Sequence, residues 1–224
     1  MGGAGVSSDS LAVLRAAFGC GDALAATIVA LGREAVHGRG AVLWPRGDEG
    51  EAASLLTQGR AVELAYSREG AALVLHAIAP GEFFGDFAGS GSDRSGAQVE
   101  ALGEGAALHF AASVMVRLME SYPAVSLALA RHLSARISAM RQRMVETALL
   151  SATGRIAAEL LRLATAGGGT IRPVPVFSEL ALQVQSTRET VSRTVSSLEK
   201  RGILKRVEGG LELVAPHRLE ELVY

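Results

Sequence analysis

Cysteine occurs once in the 224 residues, at Cys20. One thiol cannot close an intramolecular disulfide, and it excludes a four-cysteine zinc or iron–sulfur site within the chain. Aromatic residues make up only 4% of the sequence, so the core must be built mainly from Ala, Leu and Val. No apolar run approaches the roughly 20 residues of a membrane-spanning helix. The opening MGGAGVSSDS has no basic start followed by an apolar stretch, so no secretory signal is visible. Neither sign of charge is in excess: 22 Lys and Arg stand against 23 Asp and Glu, for a net charge of −1. With 49% hydrophobic and 20% charged residues, the composition is that expected of a cytoplasmic protein of bacterial type, without a membrane partner. The length suits two compact domains.

Enzyme signatures are missing as well. There is no nucleophile elbow, Walker loop or paired Ser/His/Asp arrangement. The glycine-rich runs Gly89–Gly91 and Gly167–Gly169 lack the Lys-Ser/Thr of a phosphate loop. His37, His109, His132 and His217 form no metal-ligand spacing, and His76 alone in a strand reads as structural. The expected function is binding, with no enzymatic activity and no metal.

Three patterns follow one another along the chain. Short helices are expected over Leu11–Phe18 and Ala23–Leu31. From Arg33 to about Glu104, β-type runs alternate with turns: Val42–Trp44, Ser54–Thr57, Ala61–Tyr66, Leu73–Ile78, Gln98–Leu102 and, just beyond, Ala107–Phe110. That rhythm suggests an all-β roll or barrel. Helical periodicity then predicts Ser113–Tyr122 and a long helix, Ala124–Leu150. On the latter, Leu133, Ile137, Met140 and Met144 recur at three- and four-residue spacing, a narrow stripe suited to a helix–helix dimer seam. Arg131, Arg136, Arg141 and Arg143 are expected on its other side. A further helix covers Ile156–Thr165.

The most informative stretch is Phe177–Lys205, FSELALQVQSTRETVSRTVSSLEKRGILK. Two amphipathic helices fit it, Phe177–Val184 and Thr187–Arg201, joined tightly around Gln185–Ser186. Leu180, Ala181 and Val184 share one face of the first; Val191, Val195 and Leu198 share one face of the second. Ser186 or Thr187 can cap the second helix, with Glu189 near the capping-box position. Its first turns would then expose Arg188, Glu189, Ser192 and Arg193. Arginine forks onto guanine and a carboxylate accepting from cytosine are the chemistry of major-groove reading. After Gly202, Ile203–Leu213 reads as two strands turning at Gly209-Gly210, the wing of a winged helix, with Lys205 and Arg206 at phosphate. Six basic residues (Arg188, Arg193, Lys200, Arg201, Lys205, Arg206) stand against three acidic ones (Glu179, Glu189, Glu199) between Phe177 and Arg206. The segment is therefore +3 in a chain of −1, charge concentrated where double-stranded DNA would bind.

This order of parts resembles the superfamily of the cyclic AMP receptor protein and the fumarate-nitrate regulator. Gly81-Glu82-Phe83-Phe84-Gly85-Asp86 is similar to the start of that family's phosphate-binding cassette, and Arg94-Ser95 to its end. Thr153-Gly154-Arg155-Ile156-Ala157 resembles the turn leaving the long helix, and Arg188-Glu189-Thr190-Val191-Ser192-Arg193 the recognition helix. The resemblance runs from about Arg33 to Val214. It implies an α+β architecture: a cyclic-nucleotide-binding-like sensor roll over residues 1–122, a dimerisation helix over 123–150, and a winged helix-turn-helix over 151–224.

It also implies a homodimeric transcription regulator on a palindrome of TGTGA-like or TTGAT-like half-sites. Arg188, Glu189, Ser192 and Arg193 would read bases, with Thr187, Lys205 and Arg206 at phosphates. RNA polymerase is a further implied partner. The resemblance also implies the docking geometry, with the second helix in the major groove and its N-terminal residues against base edges. In the sensor, Gly85, Asp86, Arg94 and Ser95 would form an effector site, with a cyclic nucleotide as one candidate ligand. Three departures count against cyclic AMP. Asp86 replaces a longer Glu, the stretch to Arg94 is about two residues shorter, and Met140-Arg141 stand where hydroxyl side chains would meet adenine. Two readings therefore stay open, a regulator gated by a small effector and a constitutive one with a degenerate, ligand-free sensor.

Overall fold

Alternating apolar and polar residues give paired strands, and in this chain they do so in two places. The computed structural model describes residues 8–45, 52–70, 72–86 and 97–223. Helices α1 (Ser8–Phe18) and α2 (Asp22–Leu31) lead into eight strands. These are β1 (Arg33–His37), β2 (Val42–Trp44), β3 (Ala52–Gln58), β4 (Ala61–Tyr66), β5 (Ala72–Ile78), β6 (Phe83–Gly85), β7 (Ala97–Ala101) and β8 (Gly105–Ala111). They form two four-stranded antiparallel sheets, in the orders β1-β8-β3-β6 and β2-β7-β4-β5. Helices α3 (Ala112–Ser121) and α4 (Pro123–Leu149) follow.

The sheets enclose one apolar layer and present another to the helices. Leu56, Ala61, Ile78, Phe84 and Val99 pack within the roll. Leu55, Phe83 and Leu108 face α1, α2, α3 and the start of α4, against Leu14, Ile28, Met115 and Val125. Because successive strand residues point to opposite faces, the adjacent Phe83 and Phe84 serve the two layers separately. Strands β1 and β6 lie outside the runs expected from the sequence. In β1 the only large apolar residue, Val36, faces solvent on an edge strand, and β6 has three residues, too few to alternate.

The remaining elements are α5 (Ala152–Ala166), β9 (Thr170–Ile171), α6 (Phe177–Gln183), α7 (Arg188–Lys200), β10 (Leu204–Val207), β11 (Gly210–Leu213) and α8 (Pro216–Glu220). Strands β10, β11 and β9 make a three-stranded antiparallel sheet. Helix α5 starts four residues before the expected Ile156, because the Ser151 side chain caps it by accepting from Gly154 N–H at 3.1 Å. A second core joins Ile156, Leu160, Leu180, Val191, Val195, Leu198, Ile203 and Leu211.

The chain divides into two compact units, residues 1–139 and 140–224, and the division falls inside α4. Among the described residues no single helix is long and apolar enough to cross a membrane. Leu160 is fully buried in the second core. Leu160→Ala is expected to cost about 2–5 kcal/mol through lost burial and the cavity left behind. Denaturant unfolding followed by hydrogen exchange checks this, with loss of protection confined to residues 140–224.

Candidate nucleic-acid interface

Helix α7 owes its presentation to packing on one side and capping at its start. Val191, Val195 and Leu198 are buried to 1% exposure or less against Leu180, Ala181 and Val184 of α6 and its end. The faces expected for the two helices are those observed. Thr187 is the N-cap: its hydroxyl oxygen accepts from Thr190 N–H at 3.2 Å. The capping-box position is therefore Thr190, whose hydroxyl lies 3.0 Å from that of Thr187, and Glu189 sits one residue earlier. Glu189 is thus left out of the cap and lies exposed in the first turn, where a carboxylate favours the helix dipole.

Arg188, Glu189 and Arg193 are exposed, and Ser192 is partly so. Arg193 Nη2 reaches back to Thr190 Oγ1 at 3.5 Å. The four candidate base-reading residues therefore share the outward side of the first two turns. Arg188 also lines a groove with Pro175, Val176, Phe177 and Arg206, so the helix start and the hairpin border the same concavity.

The hairpin turns one residue earlier than expected. Val207 pairs with Gly210, leaving Glu208-Gly209 as the loop, with Gly209 at φ +67°. Gly210 is a strand residue whose added Cβ would meet the Ile171 carbonyl at 2.7 Å, so β9 crowds it. Lys205 and Arg206 are exposed on β10. Arg206 Nε is bonded to Glu199 Oε1 at 2.7 Å, which ties the wing to α7.

The long helix carries two different faces. Val125, Ala128 and Leu129 are buried in the first unit, and in the second Glu146 is buried with 6% exposure. Leu133, Ile137, Met140 and Met144 are exposed by 41%, 57%, 52% and 76%. The expected arginine side needs correction at Arg136 and at Arg143, which is only partly exposed and has its Nη1 buried. Arg136 does not face solvent, since its Nη2 donates to Glu63 Oε2 of β4 with both side chains largely buried. The helix turns Arg136 one residue away from Ile137, onto the roll.

In the sensor half, Gly85 ends β6 at φ +89° and Asp86 follows it partly buried. Arg94 and Ser95, the other two expected effector contacts, lie outside the described residues. Close by, His76 Nε2 lies 3.4 Å from Glu82 Oε1. Burial pushes the Glu82 pKa up, yet it ends below the ordinary carboxylate value, because His76 and the Ala79 N–H at 2.7 Å stabilise the carboxylate. Among the described residues no cluster of His, Cys, Asp and Glu is placed to hold a metal ion.

Two polar clusters were not expected from the sequence. Arg155, noticed only as part of a turn motif, donates to three backbone carbonyls. Arg162 bridges Glu146 and Glu159; the i,i+3 spacing of Glu159 and Arg162 was the one available signal.

Residues 34–122 match the family model for the cyclic nucleotide-binding domain, and residues 154–222 match that for the Crp-like helix-turn-helix domain. The transcriptional regulator SdrP of Thermus thermophilus is 31% identical over 168 residues, covering 70% of this chain and 77% of SdrP. The chain belongs to the Crp/Fnr family of transcription regulators. The nitrogen fixation regulation protein FixK of Bradyrhizobium diazoefficiens is 32% identical over 145 residues, 62% of this chain, and the match spans 61% of FixK's length. The fold of this Crp/Fnr chain is also that of a CooA mutant from Carboxydothermus hydrogenoformans. The TM-score is 0.78 at 21% identity, covering 88% and 90% of the two chains.

Glu146 gives the interface a pH signature. Burial raises its pKa, but Arg162 and Gln142 outweigh burial and leave it below its ordinary value of 4.5. A carboxylate lowered in the folded state contributes stability above its unfolded pKa and loses it as pH falls through the folded value. Glu146→Gln should therefore flatten the acid limb of stability against pH. Melting temperatures measured from neutrality to below pH 4.5 check this, and an acid limb as steep as wild type would contradict it.

Proposed function

We propose that this chain acts as a homodimer that reads a palindromic DNA site, with residues 1–122 as sensor, 123–150 as dimerisation helix and 151–224 as DNA-binding domain. The observation that carries this reading is the exposure of Arg188, Glu189 and Arg193 on the first two turns of a capped helix whose other side is fully packed. Placed in a major groove, Arg188 and Arg193 fork onto guanine O6 and N7, Glu189 accepts from cytosine N4, and Ser192 reaches an adjacent edge. Thr187 and Lys205 contact phosphate. Arg206 does so with its remaining guanidinium donors while Glu199 holds its Nε.

Dimerisation rests on the stripe of Leu133, Ile137, Met140 and Met144. Burying each contributes about 1.5–3 kcal/mol before the entropy of association is subtracted. RNA polymerase is a partner by family likeness alone. For the sensor, Gly85 and Asp86 with Arg94 and Ser95 remain the proposed effector contacts, with a cyclic nucleotide as candidate. An effector acts only through differential affinity for two arrangements of the dimer. The constitutive reading is the alternative, supported by the departures of the cassette: the shorter Asp86, the shortened stretch to Arg94, and Met140-Arg141 where hydroxyl side chains are expected.

Two substitutions separate base reading from phosphate binding. Arg193→Ala is expected to cost about 1–3 kcal/mol on cognate DNA and relax specificity at its base pair. Unchanged discrimination between cognate and scrambled duplex in a competition assay would remove Arg193 from the base-reading set. Lys205→Ala should weaken all sequences alike and lower the slope of log affinity against log salt by about one. A loss restricted to cognate duplex would contradict the phosphate role.

A further inference from the structure

Two arginines hold the end of the long helix to the helix-turn-helix. Arg155 donates through Nη1 to the Leu150 carbonyl, just past α4, at 3.0 Å. Its Nε and Nη2 reach the Val184 and Gln185 carbonyls, in the turn before α7, at 2.8 and 3.0 Å. Gln185 has φ +51°, the one positive φ of a non-glycine residue among the described residues. A left-handed residue of this kind persists only where its surroundings over-determine it, and Arg155 supplies part of that determination. Arg162 grips Glu146 of α4 with two bonds, Nη1 to Oε1 at 2.6 Å and Nη2 to Oε2 at 3.2 Å. It also reaches Glu159 through Nε at 3.0 Å and Nη2 at 2.5 Å. Glu146 and Glu159 are 6% and 4% exposed, so neither carboxylate has water as an alternative partner of equal worth.

All of these contacts lie within residues 140–224, the unit that also contains Met140 and Met144 of the apolar stripe. The C-terminal half of the proposed dimer seam, Met140 and Met144, and the recognition helix are therefore joined inside one unit, by guanidinium forks. A fork is planar and directional, so it fixes angle as well as distance. On DNA, about 3.4 Å separates successive base pairs, so a shift of that size between seam and recognition helix moves a half-site by one position.

We propose that Arg155 and Arg162 are positioning residues that set the spacing between the two half-sites this protein accepts. They touch no base; they hold α7 at a fixed offset from the α4 seam. The inference rests on the dimeric DNA-reading function proposed above and goes beyond it by assigning spacing, as distinct from base identity, to named residues.

The test uses the full-length protein and inverted repeats of its selected half-site, with the centre lengthened or shortened one base pair at a time. Wild type should bind one spacing best. Arg155→Lys keeps the charge but not the three-way fork, and Glu146→Gln keeps the shape but removes the charge that Arg162 grips. Both should cut the preference for the best spacing by about tenfold, the scale of one or two hydrogen bonds to a charged group, while base preference within the half-site stays intact. If Arg155→Lys fails to fold, by circular dichroism, Glu146→Gln carries the test. Folded variants as spacing-selective as wild type would overturn the inference alone. Loss of base preference together with spacing would also overturn it, because the clamp would then only fold the motif. A wild type indifferent to spacing would defeat the dimer reading itself, and the inference with it.

Discussion

Helix α4 belongs to both compact units, and in each it has a packed side and an exposed apolar one. In the first unit its inner face packs Val125, Ala128 and Leu129 on the helical layer of the roll, and in the second unit Glu146 faces α5. Its outer face carries Leu133, Ile137, Met140 and Met144, large apolar residues left to solvent. An exposed apolar stripe of this size is the kind of surface that marks an interaction site, which is the basis of the proposed dimer. The heptad-like spacing makes a second copy of the same helix the natural complement.

Charge, not apolar bulk, secures the inner face along much of its length. Glu63 holds Arg136 in the first unit, and Glu146 holds Arg162 in the second. Buried ion pairs contribute little net stability relative to a well-packed apolar alternative, but removing one partner leaves a costly unpaired charge. What they supply is direction: a bidentate guanidinium tolerates one geometry, whereas leucine tolerates several. For the proposed dimer, in which two recognition helices must be placed, direction matters more than a further increment of burial.

The parts legible in the sequence were those with a period. The alternation of Ala61–Tyr66, the stripe from Leu133 to Met144, and the paired faces of Leu180–Val184 and Val191–Leu198 all corresponded to observed elements. Short or edge elements escaped, as with β6, whose adjacent Phe83 and Phe84 serve opposite layers. Side-chain commitments between distant segments were not legible either. Nothing local indicates that Arg136 turns to Glu63 across 73 positions, or that Arg155 reaches the Gln185 carbonyl across 30. The family motif at Thr153-Gly154-Arg155 located the residue, but only the fold assigns its three acceptors.

The most direct measurement is selection of duplexes from a random pool by the purified protein, with and without a panel of cyclic nucleotides. An inverted repeat of two short half-sites should be enriched. Enrichment only when a nucleotide is present would place an effector in the roll, and enrichment without one would favour the constitutive form. No enriched sequence under any condition would contradict the assignment of Arg188, Glu189 and Arg193 as readers of DNA.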